Sequence, residues 1–121
     1  MAARLYPTDS KTITVSDGIK YAYVYKPAQG SRCTFLLLHG FPSLSYDWRH
    51  QITGLSHAGY GVLAPDLLGY GDTSKPSAVE EYVLSRQYVH IEKILHSEGL
   101  TKVIGVGHDW YVVLLLTQLE T

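Results

Sequence analysis

Gly107-His108-Asp109-Trp110-Tyr111 lies between the apolar run Lys102–Val106 and a second apolar stretch that continues from Trp110 to Thr121. A strand that turns sharply into a helix at such a place lifts its central residue above the sheet edge. That residue then stands at the positive end of the helix, where free N–H groups favour an anion. A carboxylate at Asp109 would be ionised there and open to a small molecule. Asp is also a favoured helix N-cap, so capping accounts for Asp109 equally well on these five residues alone. If it is a nucleophile, its type narrows the chemistry. Carboxylate attack on an acyl carbon leaves a mixed anhydride, whereas attack on an sp3 carbon leaves an ordinary ester that water can cleave at its carbonyl. An aspartate so presented points to epoxides or carbon–halogen bonds.

A second segment bears on the same chemistry. His39-Gly40-Phe41-Pro42 follows the apolar run Cys33–Leu38. A Gly-Pro turn leaving a buried strand is common and is a modest signal by itself. Beside the Asp109 loop it gains meaning, because two backbone donors converging on a developing oxyanion lower a barrier by several kcal/mol.

The elements that must position these loops alternate in type. Thr12, Thr14 and Ser16 interleave with Ile13, Val15 and Asp17, as in a strand with one wet face. Asp17-Gly18 is a hairpin turn signal, and Lys20–Tyr25 follows as a second strand, with Tyr21, Tyr23 and Tyr25 on one face as sheet packing. Cys33–Leu38, Gly61–Pro65 and Lys102–Val106 are nearly continuous apolar runs, the pattern of parallel strands buried on both faces. Ser45 can cap a helix carrying Trp48, Ile52 and Leu55, which Gly59 closes. Leu84, Tyr88, Ile91 and Leu95 form a helical stripe and predict a helix over Glu80–Glu98 ending at Gly99; a last helix starts near Trp110. The order is a β-hairpin, then β-α-β-α-β-α, which implies an α/β fold with a mostly parallel sheet and helices on both faces. Ligand sites in such sheets lie at the carboxyl ends of the strands. That rule selects the loops His39–Ser45, Asp66–Pro76 and Gly107–Tyr111.

Composition limits the alternatives. With 121 residues, 45% of them hydrophobic, the chain suffices for one domain and not two. Its net charge of −1 leaves no basic excess for a phosphate backbone, so nucleic acid is not expected as a partner. No apolar run approaches the ~20 residues that span a bilayer, and the N-terminal residues do not form a signal peptide, so neither membrane insertion nor secretion is expected. Cys33 is the only cysteine, which excludes a disulfide framework and favours a reducing, cytoplasmic setting. No cofactor or metal is implied, since no histidine pair has ligand spacing with a further ligand set.

Three segments together resemble the soluble epoxide hydrolases of the α/β-hydrolase superfamily, especially fungal-type members. They are His39-Gly40-Phe41-Pro42 with Tyr46-Asp47-Trp48-Arg49, then Pro65-Asp66-Leu67-Leu68-Gly69-Tyr70-Gly71-Asp72-Thr73-Ser74-Lys75-Pro76, then Val106-Gly107-His108-Asp109-Trp110. The resemblance implies Asp109 as the nucleophile, with the backbone N–H groups of Phe41 and Trp110 as the oxyanion hole and His39, Gly40, Pro42, Gly107 and His108 as supporting motif residues. It implies a small epoxide opened to a vicinal diol through an aspartyl ester. Dehalogenases of the same superfamily are the alternative. Haloalkane dehalogenases resemble His-Gly-Asn/Glu-Pro where this chain has Phe41, which favours an epoxide, while haloacetate dehalogenases can share the Phe.

The resemblance also implies what lies elsewhere. In the family the cap-domain tyrosines, the acid and the base histidine all follow the nucleophile in chain order. Residues 1–121 are therefore expected to form one partial domain, the N-terminal part of the fold, without the cap or the C-terminal part of the sheet. His50, His57, His90 and His96 read as surface or packing residues rather than a substitute base. Tyr111 departs from the small residue an elbow requires two positions after its nucleophile. These points favour a catalytically inactive fragment over turnover by the 121 residues alone. The strand Lys102–Val106, paired on one side only, would leave an open apolar edge through which the chain could self-associate.

Overall fold

Polar–apolar alternation from Ser10 builds strand β1 (Ser10–Ser16), and the β-forming run after Gly18 builds β2 (Ile19–Lys26). The two pair antiparallel, Ser10 opposite Val24 and Ser16 opposite Ile19, with a slip in register between Thr14 and Ser16. A computed structural model describes residues 9–16, 18–39 and 48–107 of the chain. The remaining elements within them are β3 (Thr34–Leu38), helix α1 (Arg49–His57), β4 (Gly61–Pro65), a 3-10 turn at Val79–Tyr82, helix α2 (Leu84–Ser97) and β5 (Ile104–Gly107). Asp17, Ser45 and the helix expected from Trp110 onward lie outside the described residues.

The five strands are ordered β1-β2-β4-β3-β5. β2 runs antiparallel to β4, and β3 runs parallel to β4 on one side and to β5 on the other. The expected α/β architecture, a hairpin leading into parallel strands, is therefore what the chain forms. Side-chain alternation then divides the core in two. Leu36 and Leu38 of β3 and Leu63 of β4 join Tyr21 and Tyr23 of β2 under Ile91, Ile94 and Leu95 of α2. Leu37, Val62 and Ala64 face the other way, with Val24, under Ile52 of α1. Each fully buried aliphatic side chain contributes about 1.5–3 kcal/mol, so strands apolar on both faces are what this two-sided cover requires. Trp48, partly buried, packs against the α1 side.

Both helices end in the same way. Gly59 (φ +90) donates to Ser56 O while Tyr60 donates to Leu55 O, and Gly99 (φ +71) donates to His96 O while Leu100 donates to Leu95 O. These paired bonds satisfy the last carbonyls through a left-handed glycine.

Two expectations need correction. The helix predicted over Glu80–Glu98 is divided. The Tyr82 hydroxyl donates to Pro76 O at 2.7 Å, and its ring lies against Gly69 where a side chain would not fit. Held there, the first turn is 3-10, Val83 is extended (ψ 143), and the α-helix begins only at Leu84. The strand at Lys102–Val106 is shifted to Ile104–Gly107 and is not buried on both faces: Ile104 is 48% exposed, because among the described residues β5 pairs with β3 alone.

The β3–β4 junction is closely packed at Gly61. Gly61 stands opposite Thr34, and a Cβ on Gly61 would lie 2.9 Å from the Ala28 nitrogen and closer still to Thr34 Oγ1. Gly61→Ala should therefore destabilise the fold by about 1–3 kcal/mol, read from the urea midpoint. An unchanged midpoint would mean that the two strands are not packed this closely.

Candidate functional site

Because β3 and β5 are parallel neighbours in register, Leu38 stands opposite Gly107. Adjacent strands are about 4.8 Å apart, so the two chains leave the sheet side by side at one edge. His39 is the next residue on one, and the Gly107-His108-Asp109 segment continues the other. Of the motif residues expected from sequence, His39 and Gly107 are described. Gly40, Phe41, Pro42, His108, Asp109, Trp110 and Tyr111 lie outside the described residues.

His39 is 1% exposed. Its Nε2 accepts the backbone N–H of Leu67 at 3.0 Å, and its ring meets Tyr70 edge-on with centroids 5.2 Å apart. An N–H donor fixes Nε2 as the unprotonated nitrogen, so the neutral ring carries its proton on Nδ1. His39 thus joins the loop after β3 to the loop after β4. The apolar surroundings make that bond costly to lose, because Leu67 N–H is buried with it.

The loop after β4 is held to the hairpin strand. Tyr23 is the last β2 residue opposite β4, facing Pro65. Beyond it the loop takes over the pairing. Asp66 N–H donates to Ala22 O at 2.9 Å, and Ser74 N–H donates to Lys20 O at 2.8 Å. Thr73 Oγ1 donates to Asp66 O and accepts Ala22 N–H at 3.0 Å, while Ser74 Oγ accepts Lys20 N–H at 2.7 Å. Within the turn, Asp66 Oδ2 accepts Asp72 N–H at 3.4 Å. Gly71 (φ +53) permits this, since a Cβ there would overlap the Asp66 carboxylate. Asp72 shapes the turn through this bond, and Tyr70 through its N–H to Leu67 O at 2.9 Å. Thr73 was not singled out from sequence. Its signal is a β-branched hydroxyl residue just after the Gly69-Tyr70-Gly71-Asp72 turn, buried with both hydrogen-bonding roles in use.

The histidines and tyrosines read as packing residues are committed elsewhere. His50, His57 and His96 are exposed on the helices. His90 is 4% exposed on α2, with Nδ1 3.1 Å from the Tyr21 hydroxyl. Tyr23 donates to Glu98 Oε2 at 2.7 Å, and burial followed by that bond pushes its pKa up to about 12. The Lys11 ammonium lies 5.2 Å over the Tyr25 ring. Tyr21, Tyr23 and Tyr25 are thus sheet-packing residues, and a phenol held as Tyr23 is held is a poor proton donor. Among the described residues, no three His, Cys, Asp or Glu side chains converge as a metal site, and no helix is long and apolar enough to cross a membrane.

Comparison with known proteins agrees with this geometry. A family model describing the alpha/beta hydrolase fold matches residues 34–110. Epoxide hydrolase A of Mycobacterium tuberculosis is 48% identical over 80 residues, which are 66% of this chain and 25% of that protein. Bifunctional epoxide hydrolase 2 of Rattus norvegicus is 39% identical over 103 residues, 85% of this chain and 18% of that protein. The crystal structure of epoxide hydrolase A from Mycobacterium thermoresistibile superposes with a TM-score of 0.79 at 35% identity, covering 89% of this chain and 33% of that one. The chain thus spans a quarter or less of the two curated relatives.

Two outcomes follow from the buried histidines. His39→Ala should cost at least about 1–3 kcal/mol in urea unfolding, the penalty of a buried N–H left without its acceptor; a neutral effect would exclude the His39–Leu67 bond. For His90, burial lowers the pKa below the ordinary 6.5, while Glu81 raises it and Lys93 and Arg86 lower it by smaller amounts. The unfolded chain therefore takes up the proton first. The contribution of His90 to stability is full above about pH 6.5 and declines as pH falls from there through the lower folded value. Unfolding measured between pH 7.5 and 5 should show a steeper loss for the native chain than for His90→Gln; equal slopes would count against it.

Proposed function

The chain belongs to the α/β-hydrolase fold family, and on that premise we propose that it carries the nucleophile and oxyanion-hole part of an epoxide hydrolase. Asp109 attacks a ring carbon of a small epoxide, the C–O bond breaks, and an aspartyl ester forms with the former ring oxygen as an alkoxide that takes up a proton. Water then cleaves the ester at its carbonyl and releases a vicinal diol. The backbone N–H groups of Phe41 and Trp110 stabilise the oxyanion of that second step. His39 is a positioning residue: through Leu67 N–H it fixes where the Phe41 loop leaves β3.

The observation that carries this reading is the register of β3 and β5, Leu38 opposite Gly107. Phe41 is three residues beyond one and Asp109 two beyond the other, so backbone reach of about 3.3–3.6 Å per residue allows both to serve one ligand. The named activity of the relatives supports an epoxide over a halide. In the family the acid tyrosines and the base follow the nucleophile in chain order, and among the described residues Tyr21, Tyr23, His39 and His90 are engaged in packing contacts of their own. Residues 1–121 thus supply the ester-forming half of this reaction, and the hydrolytic half needs a base that the described residues do not place at this edge. Single-sided pairing of β5 among the described residues supports self-association at that edge, and the lone Cys33 supports a reducing, cytoplasmic setting.

Intact-mass analysis after incubation with styrene oxide tests the reading. One styrene oxide should be retained per chain, mapped to Asp109 by peptide analysis and absent from Asp109→Asn. A label that persists in Asp109→Asn, or a native chain carrying none at Asp109, would overturn it.

A further inference from the structure

The hairpin meets α2 at an open cavity of about 440 Å³, with Arg86 and Lys93 exposed at its rim and His90 buried, that includes none of the loops assigned above. Arg86, His90 and Lys93 stand at i, i+4 and i+7 on α2 and share one face of the helix, turned to Ser16 at the end of β1. Ser85 and Glu81 complete the polar lining.

The donors in this cavity are only partly used. Lys93 Nζ gives one N–H to Val15 O at 2.6 Å, which anchors the ammonium and leaves two N–H groups. Arg86 Nη1 meets Glu81 Oε1 at 2.5 Å and has further donors on its other nitrogens. His90 lines the same cavity with Nδ1 held by the Tyr21 hydroxyl, so Nε2 is the ring nitrogen left for an occupant. When Tyr21 donates to Nδ1, the neutral ring carries its proton on Nε2 and adds a third kind of donor. All three charged side chains act on this ring, Glu81 raising the His90 pKa and Lys93 and Arg86 lowering it. The lining therefore offers two cations against one carboxylate, and that carboxylate already uses the guanidinium as an anion would.

We propose that this cavity binds a small oxyanion, a carboxylate or a phosphate, held between Arg86 and Lys93 with the His90 Nε2–H as a further donor. Recognition rests on a fixed ammonium, a planar guanidinium and a buried imidazole, each anchored by a separate contact. Glu81 is the internal competitor for the same guanidinium. The site is independent of the Asp109 chemistry and stands or falls separately from it.

Imidazole NMR of the uniformly labelled chain tests this directly. Sodium phosphate and sodium acetate are titrated separately against sodium chloride at matched ionic strength. A saturable shift of the His90 nitrogens with phosphate or acetate is expected, and whichever saturates identifies the class of anion. Affinity should fall about tenfold in Arg86→Gln and in Lys93→Gln, the cost of one charge-assisted contact, and should rise in Glu81→Gln. Shifts that rise linearly and match those with chloride would overturn the proposal. So would saturable binding left unchanged in both the Arg86 and Lys93 variants.

Discussion

The parallel pairing of β3 with a strand on each side is the constraint from which the other features follow. A strand so enclosed has no wet face, and Leu36, Leu37 and Leu38 accordingly divide between the two cores. The same pairing forces the helices to opposite faces, since α1 leads from β3 to one neighbour and α2 leads past β3 to the other. It also makes the carboxyl end of β3 the place where two chains leave the sheet together. A segment that continues from either strand at that edge starts from a position set by strand pairing.

The loop after β4 acts as an irregular strand. Its Asp66 and Ser74 amides continue the β2 ladder where β4 stops, and Thr73 fills the gap with a side-chain oxygen that both donates and accepts. Through His39 this loop then holds the chain leaving β3. The route from hairpin to the β3 loop is thus a series of backbone hydrogen bonds closed by one imidazole. In such a series each buried donor is satisfied only while its neighbour stays in place.

Much of this order was legible in the residues. The apolar runs, the Gly59 and Gly99 stops and the alternation of the hairpin reflect local physics, and the elements formed as their periodicity indicated. The departures have tertiary causes. The stripe from Leu84 to Leu95 is periodic, but periodicity could not show that Tyr82 is tied to Pro76 and seated over Gly69, which ends the helix at Leu84. Ile104 has the composition of a buried residue and is half exposed because, among the described residues, β5 pairs on one side only, which composition does not reveal. At the candidate site the motif residues could be named from their order along the chain. The His39–Leu67 bond could not, since it joins residues 28 apart through a backbone group that any residue type possesses.

The tyrosines illustrate how packing limits chemistry. Tyr21 and Tyr23 carry phenols of the kind a ring-opening reaction needs, yet each faces α2 and is bonded to a side chain there, His90 and Glu98. Glu98 in turn holds Lys11 of β1 at 2.9 Å, so one carboxylate at the end of α2 ties both hairpin strands to the helix. A phenol in that position keeps its proton because ionising it would place a second negative charge beside Glu98 in a poorly solvated site. The contacts that make the hairpin part of the core therefore remove its tyrosines from acid catalysis. An acid for the proposed Asp109 chemistry would then be a group outside Tyr21 and Tyr23.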